Sequence, residues 1–244
     1  MQPTTWDKKA HRYGRYTPEG AQLEQTVCTL MGEMGIDFSG KRVVDIGCGT
    51  GIYTLRVAQK AAHVDALDIA YAMIKILRED ARKYAIDNLH AVHSDWEAFP
   101  LPDRPYDYAL STMSPATRDA EGFAKMHRAA NRKIFFGWGD KRGTVLLEAL
   151  CAAHGATYSP PNGATRLRQW LEAQHYPYAL REYAEEKNRV RPLAKAIEAY
   201  RWHLTVRDIV PDLQRITDVL NRYRDDQGNV VESVTNYFNL IVWS

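Results

Sequence analysis

The chain has 244 residues, 45% of them hydrophobic and 25% charged, and a formal net charge of +2. That balance excludes disorder, collagen and low complexity, and the length suits one large domain or a core with an elaboration. No apolar run approaches the roughly 18 residues of a spanning helix, no apolar stretch follows the basic N-terminus, and Cys28, Cys48 and Cys151 are too few for a disulfide framework, so a reduced cytoplasmic protein without secretory signal or membrane contact is expected.

Residues 17–35 predict a helix, opened near Pro18 and striped by Leu23, Val27, Leu30, Met31 and Met34. Arg42–Ile46 predicts a buried strand that runs into glycines, and residues 51–61 a helix. His63–Ile69 is the second strand, residues 71–84 a helix, Leu89–His93 the third strand and Tyr106–Ser111 the fourth. Residues 118–130 read as a helix and Lys133–Trp138 as the fifth strand. This alternation is the signature of a parallel sheet covered by helices, with right-handed crossovers. A helix over 143–154, a turn-rich segment Tyr158–Gly163, a short helix at 166–175 and a sixth strand at Tyr178–Glu185 follow. Two proline-opened helices at 192–224 come next, one with Leu193, Ala196, Ile197, Tyr200 and Leu204 on a face, the other with Leu213, Ile216, Leu220 and Tyr223. Asn236–Trp243 is the last strand. Helices inserted just before a final strand are a candidate cap over a site, with a dimer interface as the competing use.

The chemistry concentrates where the first strand ends: Val43-Val44-Asp45-Ile46-Gly47-Cys48-Gly49-Thr50-Gly51-Ile52-Tyr53. Glycine lets the backbone turn tightly and approach a ligand, and the following helix offers unpaired N–H groups. Asp68 closes the second strand 21 residues after Gly47, placed to accept from both hydroxyls of an adenosine ribose. Asp95 follows the third strand, where a carboxylate can accept from an adenine amine while Trp96 supplies apolar surface. Singly these acids are ordinary turn, cap and loop residues; jointly they mark successive strand ends that one ligand can touch.

VVDIGCGTGIYTLRVA resembles the first motif of the class I S-adenosylmethionine-dependent methyltransferases, HVDALDIAYAMI their second, and HAVHSDWEAFPLPDRPYDYALS their third and fourth. The resemblance covers roughly residues 40–115. It implies a doubly wound α/β fold with a mostly parallel seven-stranded sheet and an antiparallel last strand, into which the candidate cap helices read above are inserted, and S-adenosyl-L-methionine as cofactor. It divides a single domain into an N-terminal lid and helix (1–35), a cofactor-binding core (36–155), a substrate or cap elaboration (156–226) and the last strand (227–244). It implies that Asp45 orients the loop, that Gly47, Cys48, Gly49, Thr50, Gly51 and Tyr53 border the methionine end, and that Asp68 binds the ribose. Ile69 and Met73 then pack on adenosine, Asp95 and the Trp96 backbone meet adenine, and Ser111 and Thr112 face the sulfonium. Trp6-Asp7-Lys8-Lys9-Ala10-His11-Arg12-Tyr13 resembles the preface of small-molecule members, which makes Tyr13 and Tyr16 lid residues.

Ser114-Pro115 is not the Asn/Asp-Pro-Pro-aromatic grip of nucleic-acid and protein N-methylating relatives, and KIFFGWG lacks the usual Pro-Gly-Gly turn before it. The substrate-choosing half thus matches no named pattern, and the resemblance to small-molecule members implies a small-molecule acceptor rather than nucleic acid. Tyr16, Met113, Ser114, Trp138, Trp202 and His203 are its candidate contacts, and no catalytic base is identified. An RNA or protein acceptor, and a catalytically silent cofactor-binding sensor, are the alternatives. A surplus of basic residues (Arg118, Lys125, Arg128, Arg132, Lys133, Lys141, Arg142) is a solvated face or an anion-binding one. A dinucleotide oxidoreductase needs Gly-x-Gly-x-x-Gly where this chain has Gly-x-Gly-x-Gly, a P-loop lacks its Gly-Lys-Ser/Thr, and Cys151-Ala-Ala-His154 is a lone pair rather than a zinc site.

Overall fold

A computed structural model describes residues 6–244, with 140–143 described by backbone alone. Residues 1–5 of the expected lid, and the side chains of Lys141 and Arg142 in the basic stretch, lie outside the described residues.

Strands β1 (Arg42–Ile46), β2 (His63–Asp68), β3 (Leu89–His93), β4 (Tyr106–Thr112), β5 (Ala130–Gly143), β6 (Tyr178–Pro192) and β7 (Asn229–Trp243) form one sheet in the order β3-β2-β1-β4-β5-β7-β6. The pairs β1–β2, β1–β4, β2–β3 and β4–β5 are parallel, with Val44 opposite Asp65 on one side and Ala109 on the other. Order reverses between β1 and β4, which opens a crevice at their carboxyl ends. The helices are α1 (Gln22–Glu33), α2 (Ile52–Ala58), α3 (Tyr71–Lys83), α4 (Ala120–Ala129), α5 (Val145–Ala153), α6 (Gly163–Ala173), α7 (Leu193–Thr205) and α8 (Leu213–Asn221). This is the α/β, mostly parallel fold expected from the sequence.

The differences lie at element ends. Helix α1 starts at Gln22 rather than near Pro18, because Gly20 takes a left-handed φ of 68° and Arg56 binds the carbonyls of Thr17 and Pro18 at 2.7 and 3.0 Å. Glu24 then accepts from the Ala21 N–H at 2.8 Å, as a capping residue does. Strands β5, β6 and β7 each run about seven residues or fewer beyond their expected ends, β5 and β6 through charged residues and β7 through an alternation of valines with polar residues, neither of which an apolar-run criterion follows.

The chain forms two compact units: Met1–Trp138 with Gly163–Glu182 and Phe238–Ser244, and Gly139–Asn162 with Tyr183–Tyr237. The first unit buries Val44, Ile46, Leu67, Trp96, Phe123, Met126, Phe135 and Trp243 in one core, with Leu167 and Leu171 of α6. The second unit has its own core, in which Leu146, Leu147, Leu150 and Cys151 of α5 meet Ala196, Tyr200 and Leu204 of α7 and Ile216, Val219 and Leu220 of α8. The apolar stripes of the two proline-opened helices therefore have α5 and each other as partners. Cys151 is fully buried there, and His154 is used by the backbone: its Nδ1 lies 2.7 Å from the Leu150 carbonyl and its Nε2 accepts from Asp212 N–H at 3.1 Å.

Candidate functional site

The first unit carries a cavity of about 260 Å³ at the carboxyl ends of its strands. The loop after β1 forms its floor. Gly47 and Cys48 both donate backbone N–H groups to the Leu67 carbonyl, at 2.8 and 2.9 Å, so the end of β1 is tied to the end of β2. Gly47 and Gly51 are left-handed, at φ 70° and 87°, and a side chain on either would strike Ser114 or Leu77 respectively. Gly49 is also left-handed, but a Cβ there would meet nothing within 4 Å, so its backbone faces open cavity.

Two acids hold this loop. Asp68 accepts from Gly49 N–H at 2.9 Å through Oδ2 and from Ala70 N–H at 2.8 Å through Oδ1. Each oxygen keeps an acceptor site in reserve, since a carboxylate offers about four, and the residue lines the cavity. Burial raises its pKa, an effect opposed by the two N–H bonds. Asp45 lies beneath, only 1% exposed; its Oδ2 accepts from the Thr54 hydroxyl at 2.6 Å and its Oδ1 has no partner. Burial pushes its pKa up to about 7 against the Thr54 bond, and the charge of Asp68 adds to the rise.

The far wall follows β3. Asp95 accepts from Ala98 N–H at 2.6 Å through Oδ1, with both Asp95 and Trp96 on the lining. The Trp96 indole is held from behind by the Gly122 carbonyl at 3.2 Å and stacks on Phe99 at 6.2 Å. After β4, Met113 takes a left-handed φ of 52° while its N–H reaches the Phe136 carbonyl at 2.6 Å. That unusual backbone turns Thr112, Met113, Ser114 and Pro115 along the cavity.

The N-terminal segment closes the front. The Thr50 hydroxyl donates to the Gly14 carbonyl at 2.7 Å, Ala72 N–H donates to Asp7 at 2.9 Å, and Trp6 and Tyr13 meet edge to face at 6.0 Å on the lining. Burial, then the charge of Asp68, raises the Tyr13 pKa. Arg15 fixes the segment further along, donating to Asp80 from Nη2 at 2.7 Å and from Nε at 3.1 Å.

The structure thus brings Tyr13, Gly47, Cys48, Gly49, Thr50, Tyr53, Asp68, Ile69, Met73, Asp95, Trp96, Thr112, Met113 and Ser114 onto one cavity. It places others elsewhere. Gly51 caps α2 and Ser111 is fully buried with its hydroxyl 2.9 Å from that of Thr117, so neither lines the cavity. Tyr16 is 1% exposed, accepts from Gln59 at 2.7 Å and lies under Arg56, which makes it an anchor of the N-terminal segment rather than an acceptor contact. Trp138 packs on Phe238 at 4.7 Å, and Trp202 and His203 belong to the second unit. Sequence reasoning missed Ile52, Ser94, Ala116 and Arg118 on the lining; Arg118 stood among the basic surplus, but no spacing tied it to the strand ends. Among the described residues, no cluster of three or more His, Cys, Asp or Glu is arranged to hold a metal, and no helix is long and apolar enough to cross a membrane.

Residues 43–133 match the family model described as a methyltransferase domain. A malonyl-[acyl-carrier protein] O-methyltransferase of Serratia marcescens is 30% identical over 93 residues, 38% of this chain and 34% of that one. A demethylmenaquinone methyltransferase of Listeria welshimeri is 31% identical over 98 residues, 39% of this chain and 41% of that one. The solved YcgJ protein of Bacillus subtilis superposes with a TM-score of 0.63 at 14% identity, over 90% of this chain and 97% of that one, and so shares the fold. The chain spans half or less of the length of the curated relatives it matches.

Proposed function

We propose, from the premise that residues 43–133 make this chain a member of the class I S-adenosylmethionine-dependent methyltransferases, that it is an enzyme transferring a methyl group from S-adenosyl-L-methionine to a small-molecule acceptor. The observation that carries the reading is the meeting of Asp68, Asp95 and the open backbone of Gly49 on one cavity. Their chemistry fits the nucleoside: the unused acceptor sites of Asp68 suit two ribose hydroxyls, and the free oxygen of Asp95 suits an adenine amine. Ile69, Met73 and Trp96 supply apolar surface beside that end. Beneath the loop, the buried Oδ1 of Asp45 has no partner and is an acceptor held in reserve.

When bound, S-adenosylmethionine supplies a methyl group already activated by its sulfonium. The protein's part is to align an acceptor and exclude water. Trp6 and Tyr13 cover one side of the cavity, and Met113, Ser114 and Pro115 form the wall beyond β4 where we place the acceptor. No residue is assigned as a general base, and an acceptor already unprotonated at working pH needs none. The demethylmenaquinone methyltransferase of Listeria welshimeri, to which this chain is similar, is named for an acceptor that is a small molecule. The free cysteines Cys28, Cys48 and Cys151 support a reducing cytoplasmic location.

Incubation with S-adenosylmethionine and fractionated small-molecule extract tests this. Release of S-adenosylhomocysteine that depends on one fraction, and that is unchanged by moderate salt, is the expected result. Turnover dependent on RNA and lost as salt rises overturns the small-molecule assignment.

A further inference from the structure

Helix α4 carries a side chain that the proposed function leaves unused. Lys125 Nζ donates to three backbone carbonyls of a single loop: Trp96 at 2.6 Å, Glu97 at 2.8 Å and Phe99 at 2.6 Å. The same ammonium lies 4.7 Å from the centre of the Trp96 ring. One turn earlier on the helix, the Gly122 carbonyl accepts the Trp96 indole N–H at 3.2 Å. Positions three apart share a helix face, so α4 grips the loop at its backbone through Lys125 and at its indole through Gly122. The front of that loop is the cavity wall formed by Asp95 and Trp96.

Three carbonyl oxygens pointing at one spot repel each other, and only a cation with three donors satisfies them together. Lysine is the side chain that supplies this: a compact ammonium with three hydrogens on a stem long enough to reach across from a helix. The Asp95 to Ala98 N–H bond at 2.6 Å closes the loop from within, so the place of the Asp95 carboxylate depends on the course of residues 96–99. Remove the cation and the carbonyls must turn outward to water, which carries Asp95 and Trp96 with them.

We infer that Lys125 is a positioning residue for base recognition: by gathering the carbonyls of Trp96, Glu97 and Phe99 it holds Asp95 where it selects an adenine amine. The inference rests on the proposed function, because it assumes that the cavity takes an adenine nucleoside. A loop held only by packing would give the site affinity without discrimination at the exocyclic group, since apolar contact with a purine is nearly the same whichever substituent it bears.

The experiment compares S-adenosylhomocysteine with S-inosylhomocysteine, in which an oxo group replaces the adenine amine, by calorimetry on wild-type, Lys125→Met and Lys125→Arg proteins. Wild type is expected to prefer the adenine compound by about tenfold or more, as hydrogen bonds to a carboxylate do. Lys125→Met should bind the adenine compound about tenfold more weakly with little change for the inosine compound, so that the preference collapses. Lys125→Arg, which keeps a cation and several donors, should retain most of it. Lys125→Gln, which removes the charge and keeps one amide, gives the same reading should the methionine variant fail to fold. A folded Lys125→Met or Lys125→Gln protein with the wild-type preference intact overturns the inference while leaving the proposed function standing. Wild-type protein that binds neither compound overturns the proposed function itself.

Discussion

The backbone N–H of Gly49 donates to Asp68 Oδ2 at 2.9 Å, so the glycine loop after one strand is held by the acid that ends the next. This single bond explains why the two must be considered together. Asp68 sets the loop's path with one lone pair on each oxygen and presents the rest to the cavity. Asp68→Ala removes both functions, and is expected to weaken S-adenosylhomocysteine binding by about 1.5–3 kcal/mol, the scale of hydrogen bonds to a charged group. Calorimetry on the folded variant checks it; unchanged affinity places the nucleoside elsewhere.

Asp45 gives the protein a pH dependence of known sign. Its pKa is raised by burial to about 7, above the roughly 3.9 of an unfolded aspartate. The folded state therefore holds a proton on Asp45 more tightly than the unfolded state does. The stability this contributes is complete below pH 4 or so and is lost as pH rises through 7. Asp45→Asn, which keeps an acceptor for Thr54 and carries no charge, should unfold at higher temperature than wild type at pH 8, and the difference should vanish near pH 4. Thermal melts without ligand across that range measure it, and a difference independent of pH contradicts it.

The N-terminal segment is fastened by charge. Asp80 is 2% exposed and receives two N–H groups of Arg15, whose own side chain is half exposed. Arg15→Ala leaves a buried carboxylate unpaired, and the expected loss is about 1–3 kcal/mol, less than for a fully buried pair because water reaches the arginine. The double variant Arg15→Ala/Asp80→Ala should lose less than the two single losses combined. Denaturant titrations of the four proteins test this; strict additivity shows that the pair does not act as a unit.

Cys48 is buried between Gly47 and Gly49 on the cavity floor, and burial, with the charges of Asp45 and Asp68, pushes its thiol pKa well above the ordinary value. It should react with iodoacetamide more slowly than an unfolded cysteine, and more slowly still with S-adenosylhomocysteine present. Mass spectrometry of timed samples shows the site modified. Faster modification in the presence of the ligand counts against its placement over the loop.

Trp202 belongs to the second unit, whereas every residue lining the cavity belongs to the first. Trp202→Ala should therefore leave the affinity for S-adenosylhomocysteine within about twofold, roughly 0.4 kcal/mol. A tenfold loss in the folded variant makes Trp202 part of cofactor binding.

The strands that position the site were legible because their apolar runs end at glycine or aspartate, and both signals are local. Arg42–Ile46 and Leu89–His93 are found where their residues place them. The extensions of β5 and β6 were not legible, because their charged residues carry no apolar run to mark a strand, and that of β7 was missed because Val230 and Val234 alternate with polar residues rather than forming a run. Tyr16 misled for another reason: an aromatic near a ligand-binding segment has the same letter whether it faces the ligand or packs beneath it on Arg56 and Tyr84. Lys125, read from sequence as part of a solvated or anion-binding surplus, had a role that was not legible for a third reason. Its partners are main-chain carbonyls 26 to 29 residues away, and backbone acceptors leave no trace in side-chain identity.

The central claim, that the cavity bounded by Gly49, Asp68 and Asp95 is a nucleoside site, is tested most directly by calorimetric titration of the wild-type protein with S-adenosylhomocysteine. The account predicts saturation at one ligand per chain with a dissociation constant on the order of micromolar. Absence of any saturable heat up to about millimolar ligand, with the protein shown to be folded, would contradict it.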